Sequence, residues 1–228
     1  MAMQLDQVVP FGRSHDEYVA MFALTAADRQ QSILGVGDGP ASFNAEGTKL
    51  GDRIQSVDPI YALSAAQIRD RFQAVVDDII QQVIATPDDW VWTYHRSPAD
   101  LRHRREQVIQ LFCDDFEQGK VEGRYTVGQL PHLPYADQSY DLGLCSHFLF
   151  LYSDQCDRAF HQASLRELLR VCREVRIFPL LTLNGTPSPH LADCLTDLET
   201  AGYTCTIQTV TYELQRGGNQ LLCITRPT

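Results

Sequence analysis

The chain has 228 residues, 44% of them hydrophobic, and a formal net charge of −10. That length suits one α/β domain with a proper core and is short for two. The acidic balance argues against general affinity for nucleic acid, because phosphate neutralisation supplies most non-specific binding, and only a local basic patch would override it. There is no run of about eighteen apolar residues. The opening Met1-Ala-Met-Gln-Leu-Asp-Gln7 lacks a charged region followed by an apolar core. The expectation is a soluble, cytoplasmic protein with no membrane span. The seven cysteines are odd in number, scattered and without a C-x-x-C pair. They read as reduced thiols, with Cys145 and Cys223 inside apolar runs, and no structural zinc or other metal is expected.

In chain order, residues 1–30 read as an N-terminal flap or packing segment that mixes Phe11, Arg13, His15 and Tyr18. A strand over 31–36 runs into a glycine-rich turn and a short helix from about Pro40 to Leu50, with Gly51 as its left-handed cap. A strand over 53–57 follows, then a helix over 63–85 whose Ile68, Phe72, Val75, Val76, Ile79, Ile80 and Val83 recur at helical spacing. Residues 86–119 read as a helical insertion or lid before the third strand. It holds two start signals, Thr86-Pro-Asp-Asp89 and Ser97-Pro-Ala-Asp100, and a stop at Gly119. Further strands are expected at 124–129, 141–147, 174–179, 204–214 and 219–226. A helix opens at Ser188-Pro189 and stops at Gly202, and a hairpin turns through Gly217-Gly218. Strands alternating with helices indicate a parallel sheet with crossovers.

The stretch Ser32-Ile-Leu-Gly-Val-Gly-Asp-Gly-Pro-Ala-Ser-Phe43 carries the strongest signal. Gly35, Gly37 and Gly39 stand at every second position, so the backbone can turn sharply and a ligand can approach where a Cβ would clash. Asp58 ends the next strand, where an ionised carboxylate can accept from both hydroxyls of a ribose. An adenosine-containing ligand fits that pair. A dinucleotide would prefer G-x-G-x-x-G, whose third glycine would fall at Pro40, so the spacing leans away from NAD.

The G-x-G-x-G loop is similar to that of the class I methyltransferases that use S-adenosylmethionine. Leu133-Pro-Tyr-Ala-Asp-Gln-Ser-Tyr-Asp-Leu-Gly-Leu-Cys-Ser-His147 also resembles that family's segment leading from the third strand into the fourth. The resemblance runs from about Gln31 to the C-terminus. It implies a seven-stranded, mostly parallel, doubly wound sheet with an antiparallel last strand. It further implies S-adenosylmethionine as cofactor and S-adenosylhomocysteine as product. On it, Gly35, Gly37 and Gly39 pass under the methionine and ribose, the helix near Pro40 offers backbone donors, and Asp58 holds the ribose. Gln129 takes the place of the acid that meets adenine, and Ser146 joins the cofactor site. The family's acid two residues before the first glycine is replaced by Ile33, with Asp38 as a candidate to serve in its stead.

For the acceptor, the residues leaving the fourth strand are Ser146, His147, Phe148 and Tyr152. Only His147 among them has an ordinary pKa suited to proton abstraction near neutrality. Tyr212, Gln215, Arg216 and Asn219 on the hairpin are placed to reach the same cleft, although Gly-Gly-Asn is also simply good turn chemistry. No Asn/Asp-Pro-Pro-aromatic motif follows the fourth strand and no Pro-Cys pair occurs, which argues against base-amino and cytosine C5 methylation. The leading expectation is methyl transfer to a small molecule. The alternatives are an RNA or protein methyltransferase docking through Arg96–Arg105, a non-catalytic S-adenosylmethionine or S-adenosylhomocysteine binder, and, more distantly, a dehydrogenase.

Overall fold

The computed structural model describes residues 9–226; residues 1–8 of the expected N-terminal segment lie outside them. Seven strands form one sheet in the order β3-β2-β1-β4-β5-β7-β6. They are β1 (Ser32–Val36), β2 (Arg53–Val57), β3 (Tyr125–Thr126), β4 (Tyr140–Ser146), β5 (Cys172–Phe178), β6 (Thr204–Thr209) and β7 (Gln220–Thr225). The first five run parallel, and β7 lies antiparallel to both β5 and β6. This is the seven-stranded, doubly wound α/β sheet expected, with its last strand reversed.

Ser-Ile-Leu-Gly-Val of β1 is nearly all apolar because a central parallel strand is covered on both faces. Alternation then sends successive side chains to opposite layers. Ile33, Leu142 and Leu144 face a core built with α1 (His15–Met21), α2 (Phe43–Leu50), α3 (Ala65–Ala85) and α4 (Pro98–Val121). Leu34, Val36, Cys145 and Val175 face the other core, with α5 (Arg158–Val171) and α6 (Leu191–Thr200). Local signals set the helix ends. Ser64 and Gln67 form a capping box that starts α3, and Gly51, at φ 90°, ends α2.

Several boundaries differ from the sequence expectation. The helix expected from Pro40 begins at Phe43. Thr86-Pro87 starts only a single 3-10 turn over Pro87–Asp89, after which the chain runs as a strap to Ser97. Gly119 does not stop α4, which continues to Val121. Its bare α-carbon instead admits the Tyr125 ring, since a Cβ there would lie 2.4 Å from Tyr125 Cε2. The third strand is confined to Tyr125–Thr126. The strand expected over 204–214 leaves the sheet after Thr209, because residues 212–216 turn to meet the strap. Val91 N–H donates to the Leu214 carbonyl at 2.8 Å and Arg216 N–H to the Asp89 carbonyl at 2.8 Å.

A buried ionic knot joins the segments around one end of the sheet. Glu17 of α1 and Arg105 of α4 meet in a bidentate pair, 2.7 Å at each bond, with side chains 1% and 0% exposed. Tyr212 Oη donates to the same carboxylate at 2.9 Å, His95 Nε2 lies 3.1 Å from it, and Ser14 N–H donates at 2.9 Å. Burial alone would raise the Glu17 pKa, but Arg105 and His95 together hold it well below the usual carboxylate range. The pair's stabilisation is therefore complete above the unfolded-state pKa of about 4.3 and is lost as pH falls below it. Arg105→Met should destabilise the protein by about 3–5 kcal/mol, because it strands a buried carboxylate, and Glu17→Met/Arg105→Met should recover much of that loss. Urea unfolding at neutral pH measures both.

Candidate active site

At the carboxyl ends of β1, β2 and β4 lies a cavity of about 410 Å³. The chain leaves β1 at Val36 and turns through Gly37 at φ 70° and Gly39 at φ 53°, a region that favours glycine. Both line the cavity. A Cβ on Gly39 would meet nothing within 4 Å, so its left-handed backbone faces open space. Gly35 is different. It sits inside β1, in register with Ser56 and Leu144, and does not line the cavity. A Cβ placed on it would lie 1.9 Å from Asp38 Oδ2.

That contact revises how the loop is counted. The turn begins at Gly37, so the position two residues before its first glycine is Gly35, and Ile33 is a fully buried core side chain. The space a side chain at 35 would fill holds the carboxylate of Asp38. Tyr18 Oη donates to Asp38 Oδ1 and Ser56 Oγ to Oδ2, each at 2.7 Å. Burial pushes the Asp38 pKa up to about 7, with the two hydroxyls pulling it down and nearby Asp58 adding to the rise.

Asp58 directly follows β2. Its Oδ2 accepts from Gly39 N–H and its Oδ1 from Ile60 N–H, both at 2.8 Å, which fixes the carboxylate against the turn. Burial raises its pKa to about 6 against those two donors. Each oxygen keeps a lone pair for a further donor. The first turn of α2, by contrast, does not open on the cavity. Residues 12–15 cover it: Ser42 N–H donates to the Arg13 carbonyl at 3.0 Å, and Glu46 accepts from His15 N–H at 3.0 Å.

Across the cavity, β4 ends at Ser146, whose Oγ lies 2.9 Å from His147 Nδ1. His147 sits at φ 52°, its N–H held by the Phe178 carbonyl at 2.7 Å. Burial, and then Arg13 and Arg105, drive its pKa well below the ordinary value. It is neutral at neutral pH. Tyr152, Tyr212 and Gln215 also line the cavity, with Gln215 Nε2 tied to the Thr182 and Leu183 carbonyls at 3.1 and 3.2 Å. Phe148 lies over the turn, where a Cβ on Gly37 would come within 3.3 Å of it.

Besides Gly35, three of the candidate residues lie outside the cavity lining. Gln129 is exposed and outside the cavity lining, because the chain turns back to pair at His132 rather than extending β3. Arg216 Nε and Nη2 donate to the Asp88 and Trp90 carbonyls at 2.7 and 3.1 Å, fastening the hairpin to the strap. Asn219 donates to Glu213 and stabilises the turn. The cavity also takes in Trp90 and Phe178, which sequence reasoning did not place there, and Phe11 and Arg13 of the expected N-terminal flap or packing segment. That segment also holds Tyr18, but nothing in the spacing ties Tyr18 to Asp38. No group of three or more metal-ligating side chains occurs among the described residues. None of the described helices is long and apolar enough to cross a membrane.

Comparison with known proteins bears on the family and the fold. The chain is 32% identical to the uncharacterized protein MJ0045 of Methanocaldococcus jannaschii over 225 residues, 98% of this chain and 99% of that one. The two belong to one family. No family model matches the chain. Among solved structures, the methyltransferase domain of bacterial CtHen1 superposes with a TM-score of 0.50 at 14% identity, over 92% of this chain and 97% of that one. Magnesium protoporphyrin IX methyltransferase from Synechocystis PCC 6803, solved with bound SAM, superposes with a TM-score of 0.47 at 13% identity, over 93% of this chain and 77% of that one. The fold is that of the class I methyltransferases.

The raised pKa values at the turn have a measurable sign. A folded-state pKa above the unfolded value of about 3.9 means that stability is complete below that pH and falls as pH rises through 6 and 7. Asp38→Asn removes one such group. Its melting temperature relative to wild type should therefore climb between pH 4 and pH 7 and level off above it, as thermal melts across that range will record.

Proposed function

We propose that the protein transfers a methyl group from S-adenosylmethionine to a small-molecule acceptor held in the same cavity. One observation carries the reading: the left-handed turn at Gly37 and Gly39 opens onto a cavity that Asp38 and Asp58 also line. These residues fit the cofactor's polar ends. Asp58 offers free lone pairs to ribose hydroxyls, and Gly39 leaves room for close approach. Asp38, in the space over Gly35, supplies a carboxylate for the ammonium of the methionine end. When bound, the cofactor supplies a methyl carried on a sulfonium. The chain's part is to align the acceptor and exclude water.

His147 stands in the wall as a neutral imidazole. A base so far below its ordinary pKa takes only a weakly held proton, which suits an acceptor whose nucleophilic atom is a thiol or an acidic hydroxyl. The basic run at 96–105 supports a small acceptor over RNA. Arg105 is buried on Glu17, Arg102 pairs with Asp77 and Glu106, and Arg104 pairs with Asp100. Three of the run's four arginines are thus paired within the chain, and Arg96 alone stays exposed with no ion pair among the described residues.

Calorimetric titration with S-adenosylhomocysteine tests the cofactor assignment. Wild type should bind it in preference to NAD, and Asp58→Asn should bind it about 10- to 100-fold more weakly, the range for a lost hydrogen bond to a charged group. Equal binding by the variant removes Asp58 from the site, and no binding by folded wild type defeats the reading. The Asp38 assignment has its own test. Asp38→Gly should weaken binding, and Gly35→Asp/Asp38→Gly should restore part of it by returning a carboxylate to the same space from the strand. Gly35→Asp alone should not bind, because its Cβ would collide with Asp38.

A further inference from the structure

A cation without a counter-charge stands in the cavity wall. Gly12 packs so tightly on the glycine turn that a Cβ there would lie 2.2 Å from the Pro40 carbonyl oxygen, and the Arg13 carbonyl accepts from Ser42 N–H at 3.0 Å. The backbone of Arg13 is thereby fixed against Pro40 and Ser42. Its guanidinium lines the cavity and donates to the Phe11 carbonyl, while its Nε is buried without a hydrogen-bond partner. No carboxylate among the described residues comes within 4.0 Å of it.

Glu17, whose charge reaches Arg13, is already committed. Arg105 takes both of its oxygens, and Tyr212, His95 and Ser14 take the remaining directions. Around Glu17 there are thus two guanidinium groups and one carboxylate, and Arg105 and its neighbours already saturate that carboxylate. Arg13 is half-buried, an arginine keeps its charge, and a charge partly withdrawn from water with no carboxylate partner is unfavourable. Its planar fork matches a carboxylate, which brings both the missing charge and two parallel acceptors.

We propose that Arg13 is the carboxylate-binding residue of this cavity, taking the carboxylate of a small molecule bound there. Two sources share that chemistry: the amino-acid end of the cofactor, and an acceptor whose apolar body packs on Phe11, Trp90 and Phe178. Only the first source rests on the cofactor reading given above.

Calorimetry on the full chain distinguishes them, using wild type, Arg13→Gln and Arg13→Lys. The probes are S-adenosylhomocysteine, 5′-methylthioadenosine, which keeps the adenosine and lacks the carboxylate, and the pair benzoate and benzamide. If the cofactor supplies the carboxylate, Arg13→Gln should weaken S-adenosylhomocysteine about 10- to 100-fold and leave 5′-methylthioadenosine within about 2-fold, with Arg13→Lys between. If the acceptor supplies it, both adenosine ligands are unaffected and wild type's preference for benzoate over benzamide disappears in Arg13→Gln. Should wild type bind neither adenosine ligand, the cofactor reading fails and the benzoate pair alone decides Arg13. The proposal is overturned if neither carboxylate preference depends on Arg13. Arg13→Lys keeps the charge without the fork, so it decides the matter if Arg13→Gln does not fold.

Discussion

The pair between Glu17 and Arg105 is the constraint around which this end of the molecule is arranged. It spans 88 residues of sequence and fastens α1 to α4, while Tyr212 brings the C-terminal hairpin to the same carboxylate. Two charges this deeply buried hold only when their remaining lone pairs and protons are satisfied, and here Ser14 and His95 complete the set around Glu17. The consequence is a roof. The N-terminal segment, the strap after Pro87–Asp89 and the hairpin loop are held together over the carboxyl ends of the strands, the edge at which open α/β sheets take ligands. Tyr18, one residue along α1 from Glu17, is delivered by the same anchoring to Asp38.

That arrangement leaves the cavity electrically divided. Asp38 and Asp58 stand on the glycine-turn side, both with pKa values raised by burial, and Arg13 and the neutral His147 stand with the aromatic wall. Burial favours the protonated form of both acids, and a cationic ligand group beside them would favour the ionised form. A pocket with acids at one part and an unpaired guanidinium at another suits a ligand bearing both signs of charge. An amino acid joined to a nucleoside is such a ligand.

Local rules made much of the fold legible and little of the roof. The apolar run of β1, the Gly51 cap and the acid after β2 are each written within a few residues, so alternation, capping and turn chemistry identify them. Gly119 misled because a helix-stopping residue type was there to admit the Tyr125 ring, which only the fold brings near. Gly35 misled for a related reason: three glycines in a row of alternate positions look alike, yet the strand claims the first and the turn uses the other two. Arg105 read as one member of the basic run offered for docking, since its partner Glu17 lies in a helix with no sequence link to it. Gln129, taken from the resemblance, and Arg216, read on the hairpin, miss the cavity because β3 and β6 end early and the chain between folds otherwise.

The most direct test of this account is the crystal structure of the protein grown with S-adenosylhomocysteine. The account requires the ligand in the cavity beside Gly37 and Gly39, its ribose hydroxyls within hydrogen-bond distance of Asp58 and its amino-acid end against Asp38. Ligand bound away from the turn, or bound with adenine against Asp38 and the amino-acid end remote from it, would contradict it.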